Sequence, residues 1–457
     1  MSVDRRLLLI TYHFPPDPAV GGRRWHQFAL YLAEHGWGID VVTRDLGLLK
    51  FRDEQQVKLL PPGVRVLSAP EPESNLARLE HAVAKTVRRF VPRRAAMATP
   101  NASATTQSTS AAPPSNRERG SAVARAVAAS VNITRERSWA LAAAHVAVEA
   151  ASGRRYDAVV SSGPPHFAHE GARRASRTLR LPLLIDLRDP WSAIERVADD
   201  YASPIWFSAA RYYERRCVRD AALVIMNTDL SRDDMRRRFP DAASRIITIR
   251  NGSDDEERLP VVPPNERFSI RFAGSIYLDR DPRLVFRAAA SVIQRLSLTP
   301  RTFALEFIGH VNDLGGQSVR TMAEQEGVSD FVQIDGPRPR AEAMRFLAGG
   351  SMLLNLPQDA DMCVPAKIFE YVRFNAWLLV LATPRSATAE ILRGTSADVI
   401  EPSDVDGIAR AIESRYRQHA RGEQPAAVGH DGRFNRAIQA KILLDQLNSI
   451  VPEARES

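Results

Sequence analysis

Residues 7–24 read LLLITYHFPPDPAVGGRR, and the way this stretch continues decides the fold. Four aliphatic residues, Leu7 to Ile10, open a short apolar run that ends in a loop of prolines and paired glycines. The loop feeds Arg24–His35, where Trp25, Phe28, Ala29 and Leu32 recur on one helical face. Gly36 supplies the helix stop, and a second apolar run, Ile39–Thr43, follows. A short apolar run, an amphipathic helix and another short apolar run form a βαβ unit, whose crossover makes the two strands parallel.

Working outward, the same rhythm predicts strands at Val64–Leu67, Ala158–Ser161, Leu183–Asp186, Leu223–Met226 and Ile246–Ile249. It breaks between about Pro70 and Arg137. Residues 98–115, ATPNASATTQSTSAAPPS, hold almost no bulky apolar side chain and cannot offset their ordering entropy. A disordered insertion at about 95–120 is expected, flanked by basic helical segments at Leu76–Phe90 and Val123–Ser130. Arg250-Asn251-Gly252 is a turn signal, and the proline-rich, acidic residues through Pro264 read as a linker. A second series follows, with strands at Ser269–Ala273, Ala304–Ile308, Phe331–Ile334, Met352–Leu356, Leu378–Leu381 and Val399–Ile400. Helices fit at Pro282–Leu296, Gln317–Glu326, Arg340–Leu347, Ala366–Arg373, Val405–Arg417 and Phe434–Leu447. The expectation is an α/β protein of two Rossmann-like, doubly wound parallel-sheet domains, residues 1–250 and 251–430, with a closing helix and tail over 431–457.

A chain of 457 residues with 25% charged and 44% hydrophobic residues suits two soluble domains. Its formal charge of +8 rests on 62 basic residues, nearly all arginine, and basic runs occur at Arg88-Arg89, Arg93-Arg94 and Arg236-Arg237-Arg238. These read as solvated faces or as a peripheral landing patch for an anionic membrane. No aromatic-basic interleaving or zinc-finger spacing points to nucleic acid. Cys217 and Cys363 stand far apart, which fits a reducing compartment, and no run approaches the ~18 apolar residues of a membrane span. A cytoplasmic location follows as the expectation.

Ligands of open parallel sheets bind beyond the carboxyl ends of the strands, so the loops there hold the candidate residues. Gly21 and Gly22 precede a helix, where bare backbone can approach a diphosphate. Ser161-Ser162-Gly163-Pro164-Pro165-His166 places a histidine at a strand end; it can hydrogen-bond a sugar, assist a proton transfer, or pack locally. In Asp186-Leu187-Arg188-Asp189-Pro190-Trp191, Arg188, Asp189 and Trp191 suit sugar hydroxyls and a ring face, although Asp186 and Arg188 can equally be a structural ion pair. In the second half, Gly274 and Ser275 end a strand, with Arg280 and Arg283 after it as cations for a leaving diphosphate. Pro365, Ala366, Lys367 and Glu370 open a helix; Lys367 there opposes the helix dipole, and Glu370 can accept ribose hydroxyls or act as a dipole partner. Asp359-Ala360-Asp361 has the spacing of a divalent-metal pair, but so short a pattern recurs by chance. No metal or other cofactor is expected.

The segments YHFPPDPAVGGRRWHQFALYLAEHGW, SSGPPH, DLRDPW, RNGSD, FAGSIY and VPAKIFEY, in this order, resemble the family 4 (group 1) retaining glycosyltransferases of GT-B fold. The likeness spans nearly the whole chain apart from residues 70–137 and the tail. It implies two domains facing a cleft, with the acceptor mainly on the first and the nucleotide-sugar donor mainly on the second. It also implies that Gly21 and Gly22 approach the donor diphosphate, that His166 contacts the transferred sugar, and that the last helix crosses back to the first domain. Glu370 matches the ribose-holding second glutamate of the family's E-x7-E motif. The chain departs from the pattern at Met362, where the first glutamate belongs, with Asp361 beside it. Ser275 stands where the family has a phosphate-clamping arginine, and Arg280 takes the lysine's place. The implied activity is metal-independent transfer, with retention, to a glycan or lipid-linked glycan. Arg280 and Lys367 would neutralise the departing nucleoside diphosphate, and attack would come from the leaving-group face. A nucleotide-sugar epimerase and a catalytically silent membrane-associated scaffold are the alternatives within the same fold.

Overall fold

In the computed structural model, residues 5–72, 116–193, 202–254, 258–263, 266–277, 280–358 and 361–451 are described. They form two compact units, residues 1–250 with 440–457 and residues 251–439. The stretch 97–115 and the basic runs at 88–94, with the segment Leu76–Phe90, lie outside the described residues. The insertion expected over about 95–120 overlaps a helix that begins at Asn116.

The first unit holds β1 (Arg5–Thr11), β2 (Trp37–Thr43), β3 (Val64–Ser68), β4 (Ala158–Ser162), β5 (Leu183–Arg188), β6 (Leu223–Met226) and β7 (Ile246–Thr248). All pair in parallel, in the order β3-β2-β1-β4-β5-β6-β7. Leu7 and Leu9 face one side and Leu8 and Ile10 the other, and both faces are covered. This is why the strands read as unbroken apolar runs and do not alternate. One face packs on the helix Arg23–Glu34, through Trp25, Phe28, Ala29 and Leu32, and on Ala440, Leu443 and Leu447 of the last helix, Arg436–Ile450.

The opposite face carries the 35-residue helix Asn116–Ala150, of which only Val123–Ser130 is legible as helix in the sequence. Its buried side is Trp139, Ala140, Ala143, Ala144 and Ala147, a helical spacing built from a residue too small to register as an apolar stripe. Small residues let helices approach closely. A Cβ on Gly171, in the helix Phe167–Leu179, would stand 2.5 Å from the Ala140 carbonyl oxygen.

The second unit contains β8 (Phe268–Ser275), β9 (Phe303–His310), a small antiparallel ribbon of β10 (Asp313–Leu314) and β11 (Gln317–Ser318), then β12 (Val332–Asp335), β13 (Met352–Asn355), β14 (Trp377–Leu381) and β15 (Asp398–Ile400). Gly315 and Gly316, with φ of 61° and 83°, supply the left-handed turn that such a ribbon needs. The main sheet is parallel in the order β12-β9-β8-β13-β14-β15. The two segments that bound this unit run side by side. Ser253 N–H donates to the Phe434 carbonyl at 2.7 Å, and Arg436 N–H donates to the Ser253 carbonyl at 2.9 Å. Gly252 is required there, because a Cβ would sit 2.6 Å from the Arg436 Cα. The Asn-Gly turn signal thus marks a close approach of two chain segments.

Candidate functional site

Numbered within its own sheet, each unit has strand order 3-2-1-4-5-6, with a seventh strand in the first. The order reverses between the first and fourth strands, and ligands of such sheets sit beyond the carboxyl ends at that reversal. In the first unit the reversal lies between β1 and β4, where Thr11 pairs with Ser162. In the second it lies between β8 and β13. The helices after these strands differ from most of the others. Helices starting at Glu54, Pro204 and Asp229 are closed by Asp53, Ser203 and Thr228 side chains. In those starting at Arg23 and Phe167, after β1 and β4, the residue before the helix gives no side-chain cap, while in Arg283–Leu296 after β8 the Arg283 N–H donates to Asp281 Oδ1 at 2.9 Å.

In the first unit the β1 loop is tied together by its own polar groups. His13 Nδ1 lies 2.7 Å from Asp17 Oδ2, and Ala19 N–H donates to Asp17 Oδ1 at 3.0 Å. Burial raises the Asp17 pKa, but these two hydrogen bonds outweigh it and leave the carboxyl below its ordinary value. Gly21 and Gly22 pack against His13. A Cβ on Gly21 would meet the imidazole Cδ2 at 3.2 Å, and one on Gly22 the His13 carbonyl oxygen at 3.1 Å.

Beneath the loop, Arg24 is buried and bidentate to Asp186, at 3.0 and 3.2 Å, and also donates to the Ile249 and Arg250 carbonyls. Trp25 Nε1 and Ser162 Oγ donate to the same Asp186 carboxylate, at 2.8 and 3.2 Å. The structural ion pair of Asp186 is therefore with Arg24 and not with Arg188. The β5–β6 register shifts between Asp186 and Arg188, and Arg188 adopts φ +61°, a conformation uncommon outside glycine. That shift turns its guanidinium toward the Gly21 carbonyl, at 3.1 Å.

His166 immediately precedes Phe167–Leu179, and its side chain makes no capping hydrogen bond to that helix. Its ring stacks on Trp191, with centroids 5.5 Å apart, and burial, then His169 and Arg188, push its pKa well below the usual value. Trp191 is itself enclosed by Phe167 and Tyr213. Its amide and that of Ser192 donate to the buried Glu214, at 3.0 and 3.1 Å, and Arg238 pairs with the same carboxylate. Trp191 is thus a wall behind His166, while Asp189 is half-buried at the loop. Within the Arg236–Arg238 run, Arg236 donates to the Ile246 carbonyl at 2.7 Å and Arg237 to Asp234 at 3.2 Å, so all three of its cations have partners inside the unit.

At the second switch point Lys367 reaches back over the end of β8. An ideal Cβ on Gly274, whose φ is +149°, would fall 1.4 Å from Lys367 Nζ, and Nζ lies 4.9 Å from the Phe272 ring centroid. Tyr371 holds the same strand end, its hydroxyl accepting from Ala273 N–H at 3.0 Å and donating to the Ala273 carbonyl at 3.1 Å. Ser275 pairs in register with His310, and Arg280 lies over the Tyr277 ring at 4.2 Å. Pro365 and Ala366 form the turn into Ile368–Tyr371, with Ile368 N–H donating to the Pro365 carbonyl at 3.0 Å. Glu370 is partly exposed and accepts from Arg340 at 2.6 Å. Asp359 lies outside the described residues. Asp361 accepts from the Thr383 hydroxyl at 2.8 Å, and no group of three metal-ligating side chains occurs among the described residues.

Residues 104–257 match the model of Glycosyltransferase Family 4. The match covers about a third of the chain. Solved structures similar to it include a glycosyltransferase from Rickettsia africae, with TM-score 0.61, 11% identity, and 99% of this chain and 100% of that one covered. Sucrose-phosphate synthase from Thermosynechococcus elongatus gives 0.58, 14%, 97% and 99%. HepE from Anabaena, in complex with UDP and glucose, gives 0.55, 15%, 97% and 100%. At such identities the likeness is one of fold, and that fold is GT-B. Among curated proteins none matches the chain by sequence.

The residues singled out in the sequence fall at the two switch points. Gly21, Gly22 and His166, with Arg188, Asp189 and Trp191, gather beyond β1, β4 and β5. Gly274, Ser275 and Arg280, with Pro365, Ala366, Lys367 and Glu370, gather beyond β8 and β13. Sequence reasoning missed the Arg24–Asp186 pair, the His13–Asp17 pair, Tyr371, and the Ser161–His169 contact at 2.8 Å. Only the last left a signal: His166 and His169, three residues apart, share a helix face. No helix among the described residues is long and apolar enough to cross a membrane.

Proposed function

We propose that this protein is a glycosyltransferase that moves a glycosyl group from a nucleoside-diphosphate sugar to a hydroxyl of a glycan or lipid-linked glycan, with retention of configuration and without a metal ion. The reading includes a cytoplasmic protein that touches an anionic membrane peripherally. The observation that carries it is Lys367 Nζ lying against Gly274 at the second switch point. An ammonium on bare backbone at the end of β8, with Arg280 in the segment that follows that strand, suits a diphosphate more than any neutral ligand.

In the second unit Lys367 and Arg280 neutralise charge on the departing nucleoside diphosphate, where fixed cations contribute most to rate. Gly274, Ser275, Pro365 and Ala366 offer backbone and hydroxyl contacts, and Glu370 exchanges Arg340 for the ribose hydroxyls. In the first unit Gly21, Gly22 and His166 serve the donor's diphosphate and sugar, and Arg188 and Asp189 serve the acceptor. Trp191 supports this set by stacking on His166. With retention, the acceptor attacks from the leaving-group face and its proton passes to a diphosphate oxygen.

Thermal unfolding with UDP, GDP, ADP and dTDP, each with and without EDTA, tests the donor half, since a ligand of the native state raises Tm by mass action. One nucleotide should stabilise the protein regardless of EDTA, and less so in Glu370→Ala. No shift with any of the four, or a shift abolished by EDTA, defeats the reading. NMR of the product anomer tests retention.

A further inference from the structure

Behind the β4 loop, Ser161, His169 and His166 form one line of polar atoms. Ser161 Oγ lies 2.8 Å from His169 Nδ1, and His169 Nε2 lies 3.5 Å from His166 Nδ1. Gly163 faces the gap between the rings: a Cβ there would stand 2.7 Å from each of the two facing nitrogens. Ser161 and His169 are fully enclosed, and His166 is 7% exposed. Burial keeps both imidazoles neutral, lowering His169 to about 3 and His166 well below its usual value. Each ring therefore carries one N–H and one bare nitrogen.

Two hydrogen arrangements fit these heavy atoms, and the serine decides between them. If Ser161 donates to Nδ1 of His169, that ring carries its proton on Nε2 and donates to His166 Nδ1. His166 is then left with its own N–H on Nε2. In the reverse arrangement His169 Nδ1–H donates to Ser161, and the buried hydroxyl proton has no acceptor among the described residues. A buried donor left unmade is the costlier state. The Nε2 of His166 has no partner among the described residues, while the stack on Trp191 fixes the ring plane.

We propose that Ser161 and His169 are positioning residues that set the tautomer of His166, so that its Nε2–H is presented as a neutral hydrogen-bond donor to an oxygen of the bound ligand. The ligand must then offer lone pairs at that point, as a sugar hydroxyl, a ring oxygen or a phosphoryl oxygen does. His166 in this state cannot take a proton from the acceptor, so that proton must leave by another group. Only the kinetic part of the test below rests on the glycosyl-transfer reading.

The experiment is nitrogen NMR of the full chain labelled with ¹⁵N-histidine, without ligand, the two rings being assigned by single substitution. The expected pattern for both His166 and His169 is a bare Nδ1 and a protonated Nε2, unchanged from about pH 5.5 to 8.5. Ser161→Ala should convert the His166 signal to a mixture of tautomers, and Ser161→Thr should restore it. With a nucleotide sugar that is turned over, Ser161→Ala should lower kcat about tenfold and move KM far less. A bare Nε2 on His166, titration of either ring in that range, or an unchanged spectrum in Ser161→Ala overturns the proposal. If Ser161→Ala does not fold, the spectrum of the unsubstituted protein decides alone. The expected spectrum together with no turnover of any nucleotide sugar would refute glycosyl transfer and leave the tautomer assignment standing.

Discussion

Gly274→Ala is the sharpest perturbation of the proposed donor site. The new Cβ would fall 1.4 Å from Lys367 Nζ, and ordinary contact begins at 3.4 Å, so the ammonium must retreat by about 2 Å. A hydrogen bond to a charged group contributes about 1.5–3 kcal/mol, and losing it raises Kd for the nucleotide by about 10- to 150-fold. Separately, alanine at φ +149° costs about 1–3 kcal/mol in backbone strain. For a unit of this size that lowers Tm by about 2–12 °C. Lys367→Met separates the two effects, because it removes the charge without the strain. Calorimetry with the stabilising nucleotide should show the same affinity loss in both variants, and only Gly274→Ala should melt early. The double variant should bind no worse than Lys367→Met, since both act through one ammonium. A folded Gly274→Ala protein that binds the nucleotide as tightly as the parent would refute the placement of Lys367 on the diphosphate.

Further consequences are open to direct measurement. Glu370→Ala should mainly weaken donor binding and His166→Ala should mainly slow turnover; unaltered kinetics in both would undo the site assignment. Arg24→Met leaves Asp186 buried without its partner and should lower unfolding free energy by about 3–5 kcal/mol in urea titrations; a cost below about 1 kcal/mol would show that Trp25 and Ser162 suffice. His169 has its folded pKa depressed from 6.5 to about 3, so the unfolded chain binds the extra proton first. Its contribution is intact above about pH 6.5 and is lost as pH falls toward 3, at up to about 1.4 kcal/mol per pH unit. Urea midpoints between about pH 6.5 and 4.5 should fall less steeply in His169→Gln, and identical slopes would contradict a buried neutral ring.

Each run expected as a strand is one, to within a residue or two at the ends, because a strand covered on both faces must be apolar at nearly every position and so announces itself. The loops after β1, β4, β8 and β13 were legible for the same reason: once strands are placed, so are their carboxyl ends. Helix Asn116–Ala150 was not legible, because alanines bury a face without bulk. The basic run at Arg236–Arg238 was ambiguous, since nothing local says that Arg238 meets Glu214.

The sequence by itself determined the parallel α/β class, the two series of strands and the positions of the loops at their carboxyl ends. These follow from local periodicity and from glycine and proline, which act on their own neighbours. Only the tertiary structure decided partners far apart in the chain. Arg24 binds Asp186, Lys367 meets Gly274, Arg340 holds Glu370 and Ser161 meets His169. The strand order that brings β1 beside β4 and β8 beside β13 selects these pairs, and strand order is set by how crossovers pack on the sheet, which no single segment records.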